Sequence, residues 1–147
     1  MIAHLQALFI PSILGIKSLN KFNYLPHYYL IPFGFISVGI ASMFEMIDHT
    51  MTDWVYVDHS SIFNWLFYAS LSLGLSLFSI SVSRNKFLIK TNILFCLTSI
   101  FSYWILGKPI ALIFQVLISI LLIISWQNRF KDWFFFAYPI FGILLTT

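Results

Sequence analysis

Apolar positions follow one another in long runs along this chain, and polar positions gather in a few short breaks between them. The runs are Leu30 to Ile47, Ile62 to Val82, Phe87 to Leu106, Pro109 to Trp126 and Trp133 to Thr147. About 20 apolar residues, rising ~1.5 Å each, carry a helix across the hydrocarbon of a bilayer. The pattern therefore predicts an all-α, polytopic bundle of five transmembrane helices. The breaks "SRNK" at Ser83 to Lys86, "GKP" at Gly107 to Pro109 and "QNRFKD" at Gln127 to Asp132 hold the turn-forming and charged residues of a membrane surface. Such short connections make successive helices antiparallel neighbours. No repeat or low-complexity stretch divides the chain, so one membrane-embedded domain over residues 1–147 is expected.

The opening segment "MIAHLQALFIPSILGI" is apolar but short, contains Pro11, and lacks the basic start and small-residue cleavage site of a signal peptide. Two placements stay open for it: a further span kinked at Pro11, or a segment lying in the interface. Residues Lys17 to Tyr29, with Lys17, Lys21, Tyr24, Tyr28 and Tyr29, read as interfacial, their rings at headgroup level.

Composition turns this pattern into a statement about solvent. Of the 147 residues 60% are hydrophobic and 9% charged, where a soluble domain has about 25% charged residues. The lipid bilayer is the first partner implied, and other membrane subunits the second. Of the 8 basic residues, Lys17, Lys21, Arg84, Lys86, Lys90, Arg129 and Lys131 fall on one side of the expected membrane, and Lys108 alone on the other. The positive-inside rule places the basic side in the cytoplasm of a plasma or inner membrane, or on the stromal side of a thylakoid, and residues 44–61 outside. Topology thus accounts for the basic balance, and no aromatic and basic interleaving on a soluble face points to nucleic acid. A lone Cys96 excludes an internal disulfide and the thiolate zinc patterns. The chain has no glycine-rich phosphate loop and no GxSxG elbow.

At 100° per residue, Gly34, Ser37, Ala41, Glu45, Asp48 and His49 share one stripe of the first helix. Small residues let a second helix approach closely, so this stripe is expected to face the bundle and to carry Glu45 inward with it. Asn64, Tyr68, Ser72, Ser76, Ser79 and Ser83 form a stripe on the second helix, and Asn92, Cys96, Ser99 and Tyr103 one on the third; Gln115 and Ser119 lie on the fourth. These read either as interhelical hydrogen-bonding contacts or as the lining of a polar conduit. Pro139 in the fifth run reads as a kink.

"FEMIDHTMTDWVYVDHSS", residues Phe44 to Ser61, holds four of the 5 carboxylates and two of the 4 histidines. Carboxylate oxygen and imidazole nitrogen together suit a divalent ion such as zinc, manganese or iron, or a proton relay. Asp48, His49, Asp58 and His59 are the candidate metal ligands. Glu45, one turn from His49, is the candidate catalytic base. The competing reading is a hydrated acidic loop in which Asp58 or Ser60 caps the second helix and Lys108 pairs loosely with an acid.

Asp53-Trp54, followed by Ser60, Ile62 and Trp65 at the start of a membrane helix, resembles the beginning of alkaline ceramidases. That resemblance implies a zinc-dependent membrane hydrolase. The family also uses a serine, an aspartate and three histidines spread over several helices, whereas the runs from Ile62 onward contain no histidine. No catalytic residue is carried over from it. If the N-terminal segment spans, His4, His49 and His59 would lie on one side and supply three nitrogens. The sequence thus favours a small structural or accessory component of a membrane complex, ahead of a metal-dependent lipid hydrolase and of a transporter or proton-relay subunit.

Overall fold

The computed structural model describes residues 22–51 and 62–131 together with Ile13 and Lys17. Four helices follow one another in it: α1 (Leu30–Met51), α2 (Ile62–Val82), α3 (Lys86–Leu106) and α4 (Lys108–Phe130). Each is long and apolar enough to cross a membrane. They correspond to the first four runs, and α2 agrees with its run at both ends. The expected count of five is not matched, because the described residues hold four such helices. The run Trp133 to Thr147 lies outside them, as does the opening segment apart from Ile13.

Two helices outlast their apolar runs. α1 continues past Ile47 to Met51, and α4 continues past Trp126 through Gln127, Asn128 and Arg129 to Phe130. Polar side chains end a hydrocarbon span without ending a helix, since intrahelical hydrogen bonds hold in water too. α4 stops where Lys131 turns left-handed, at φ 57° and ψ 24°, with its N–H bonded to the Gln127 carbonyl.

The turns are as tight as the short breaks require. Between α2 and α3, Asn85 takes an extended conformation and its side-chain oxygen accepts from the Phe87 N–H at 2.9 Å, capping α3. Between α3 and α4 only Gly107 is non-helical. Its φ of +75° is a conformation that strains other residues. Its N–H closes α3 on the Tyr103 carbonyl at 2.8 Å, and Pro109 occupies the first turn of α4, where no N–H partner is needed.

α2 is the hub, packing against each of the other three helices. Its contact with α1 is a close backbone approach: a Cβ on Gly74 would stand 2.8 Å from Val38 Cγ2 and 3.0 Å from the Gly34 carbonyl oxygen. A Cβ on Gly34 would meet the Phe78 ring, itself stacked edge-on against Phe35 at 4.9 Å. Small residues on both helices make this contact possible. The bulky apolar residues point the other way. Phe87, Phe101 and Ile105 on α3 are 71%, 66% and 82% exposed, while Ser72, Asn92 and Ser99 are nearly inaccessible. Large apolar groups outside and small polar groups inside fit a bundle whose outer solvent is lipid.

The segment before α1 folds back under the bundle. Leu25 is buried with Ile31 and Val82, the His27 N–H reaches the Ser81 carbonyl at 3.4 Å, and Arg129 donates to the Tyr24 carbonyl at 3.0 Å. Tyr24, Tyr28 and Tyr29 are exposed, as an interfacial segment requires.

Gly74→Ala should lower stability by about 1–3 kcal/mol through overpacking against backbone. Gly34→Ala should lower it less, because a ring can swing and a carbonyl on α1 cannot. Thermal unfolding in detergent micelles measures both, and a Gly74→Ala variant as stable as its parent would contradict the close approach.

Candidate functional site

The inward stripe of α1 is real: Ser37, Ala41 and Asp48 are buried, and Glu45 is half-buried. Asp48 is only 4% exposed although it lies beyond the apolar run. The Asn64 amide of α2 donates to its carboxylate at 3.4 Å, and the Tyr103 hydroxyl of α3 donates to the Asn64 side-chain carbonyl at 2.9 Å. Carboxylate, amide and phenol thus link three helices at one end of the bundle. The geometry uses each group according to its chemistry, since an ionised carboxylate only accepts and an amide both donates and accepts.

A second set of polar bonds continues inward. The Tyr68 and Tyr103 rings stack at 5.7 Å, with Lys108 Nζ 5.8 Å from the centre of the Tyr68 ring. Gln115 on α4 donates to the Tyr68 carbonyl and to Ser72 Oγ, each at 3.2 Å. Ser72 and Ser99 are 2.8 Å apart, and Ser99 donates to the Ala111 carbonyl, so Ser72 supplies the proton between the two hydroxyls. Further along, Ser76 donates to the Asn92 carbonyl oxygen. Trp65 fastens α2 to α3 separately, its indole N–H on the Ile100 carbonyl at 2.9 Å. The stripes therefore meet each other as interhelical contacts, the first of the two readings their spacing allowed.

The candidate ligands fare unequally. Asp48 and Glu45 are on α1, with Asp48 engaged by Asn64. The backbone of His49 is helical, but its side chain, and Asp58 and His59 altogether, lie outside what the structure describes. Among the described residues no three His, Cys, Asp or Glu side chains are grouped to hold a metal ion. Lys108, which the hydrated-loop reading paired loosely with an acid, has its Nζ over the Tyr68 ring, whose face attracts a cation, and the loop acids Asp53 and Asp58 lie outside the described residues. Sequence reasoning missed Trp65 as a helix fastener and Gly74 as a contact point. A tryptophan one turn into a span and a glycine among serines were the available signals.

Replacing Asn64 by Leu removes the middle of the three-helix link and leaves the Asp48 carboxylate facing an alkyl group. We expect it to cost more than Tyr103→Phe, which deletes one hydroxyl worth ~0.6 kcal/mol in a membrane bundle. Unfolding of both variants and of the double variant measures the coupling, and strict additivity would show that the link is not cooperative.

No curated protein and no solved structure matches the chain. A family model described as a seven transmembrane receptor matches residues 2–147. Its seven spans and the four helices of the described residues both differ from the five runs read in the sequence. Because the match covers almost all of the polypeptide, the chain belongs to the seven transmembrane receptor family.

Proposed function

We propose that the protein is a non-catalytic, receptor-type membrane unit that works within a larger membrane assembly. The observation that carries this reading is the use made of the polar side chains: Asn64, Ser72, Ser99, Tyr103 and Gln115 bond helix to helix. Groups committed to each other hold a bundle in one arrangement, and a ligand that competes for one of them would shift that arrangement. Asp48, joined to α2 and α3 through Asn64, is the position where such competition would be felt by three helices at once. The exposed apolar face of α3, with Phe101, Trp104 and Ile105, supplies surface for lipid or a neighbouring subunit.

A second reading, a metal-dependent hydrolase acting on a lipid, is favoured by one observation: a buried carboxylate, Asp48, and a half-buried one, Glu45, share the inner face of α1. In that reading His49, Asp58 and His59 would hold a zinc, manganese or iron ion together with Asp48, the ion would supply Lewis acidity, and Glu45 would serve as the proton acceptor. One purification separates the two. Extracted in mild detergent, the parent should migrate in an assembly larger than its own 17.1 kDa plus detergent, and divalent ions should leave its melting temperature unchanged. An ion that raises the melting temperature of the stripped parent, but not of a His49→Ala, His59→Ala variant, would replace the first reading by the second.

The proposed orientation puts Arg84, Lys86 and Lys131 in the cytoplasm and residues 52–61 outside, with the run Trp133 to Thr147 returning across the membrane. Cysteines introduced at Lys86 and Lys131 should be labelled by an impermeant reagent only after the membrane is opened, and one at Asp53 in intact cells. The reverse pattern would invert the topology.

A further inference from the structure

Two cavities adjoin at the end of the bundle where α2 leads into α3 and α4 finishes. One, of about 330 Å³, is apolar and walled by Leu25, Phe35, Phe78, Val82 and Trp126. The other, of about 280 Å³, is lined mainly by polar residues, Ser83, Arg84, Asn85, Ser125, Asn128 and Arg129, with Val82 and Leu88 beside them. Val82 borders both, which places an oily slot directly beside a basic one.

Three features give the polar cavity the chemistry of an anion site. Arg84 and Arg129 bring two permanent positive charges, and Arg129 spends one nitrogen on the Tyr24 carbonyl while a guanidinium carries five N–H donors. The 21-residue α3 begins at the rim with Asn85 as its cap, so the positive end of its dipole is there. The third feature is Ser125. It is 3% exposed, it lines the cavity, and its hydroxyl has no hydrogen-bond partner among the described residues. A serine inside a membrane helix ordinarily bonds back to the carbonyl one turn earlier, as Ser119 does to Gln115 at 2.9 Å. Ser125 does not, and its donor is left for an occupant of the cavity.

We propose that the two cavities form one binding site for an anionic phospholipid, its phosphate held by Arg84, Arg129 and Ser125 and an acyl chain lodged against Phe35, Phe78 and Trp126. A free phosphate shares the headgroup chemistry, but it leaves the adjoining apolar cavity without a role. Basic pockets between membrane helices recognise lipid headgroups in this way.

The test uses the full chain in nanodiscs of phosphatidylcholine, with phosphatidylglycerol or inorganic phosphate added. Phosphatidylglycerol should raise the melting temperature and remain bound in native mass spectra, where phosphatidylcholine does not. Arg84→Gln with Arg129→Gln should weaken phosphatidylglycerol binding about thirtyfold, and Ser125→Ala should weaken it severalfold. An unchanged melting temperature of each variant in phosphatidylcholine alone shows that the fold survives. If the double variant unfolds, the single variants Arg84→Gln and Ser125→Ala carry the test. Equal retention of the two lipids, variants that bind phosphatidylglycerol like the parent, or stabilisation by inorganic phosphate equal to that by phosphatidylglycerol would each overturn the proposal.

Discussion

Lipid gives a helix no reason to hide its apolar side chains, and that constraint shapes everything else in this bundle. With no hydrophobic force to press helices together, contact depends on close packing and on polar groups that find each other. The protein answers with glycine where α1 meets α2 and with serine, asparagine and glutamine where α2 meets α3 and α4. α2 carries four buried serines, Ser72, Ser76, Ser79 and Ser81, and packs against each of the other three helices. A hydroxyl or amide placed in hydrocarbon without a partner is penalised, so each bond that joins two helices also removes a penalty from both.

Which residues face inward was legible in the sequence, because helical phase is a property of a single segment. Ser37, Asp48, Ser72, Ser76, Asn92, Ser99 and Gln115 are all buried, in line with the stripes read at 100° per residue. Which residue answers which was not legible. That Gln115 reaches Ser72 across 43 positions, or that Tyr103 reaches Asn64 across 39, depends on the axial offset of two helices, and no single segment encodes it. The ends of α1 and α4 escaped for another reason. Hydropathy reports where hydrocarbon stops, whereas a helix stops where its backbone turns, as Lys131 does.

The candidate site divides along the same line. Asp48 and Glu45 could be placed because they belong to a long periodic helix. Of the remaining members, His49 is placed by its backbone alone, and Asp58 and His59 sit in a stretch without periodicity and lie outside the described residues. Where Asp48 is described, its carboxylate serves as an anchor for Asn64. Trp65, one of the residues that resembled an alkaline ceramidase, serves as a fastener on the Ile100 carbonyl. These are positional duties, in which polar groups fasten one helix to the next.

Gly107 bears on how the protein is made. A connector of one residue leaves α3 and α4 no slack, which favours their entering the membrane together as a helical hairpin. In the proposed orientation the tip of that hairpin crosses first, and the cation it carries is Lys108. Moving one lysine through the centre of a bilayer is opposed by about 2.5–3.5 kcal/mol. Two spans of 21 and 23 residues entering together offset that barrier many times over. An isolated α3 would also arrive with Asn92, Ser99 and Tyr103 facing lipid, whereas the paired hairpin already gives Ser99 its acceptor in the Ala111 carbonyl. Close packing and joint entry thus favour the same short turn, and α2 packs against both helices of the pair.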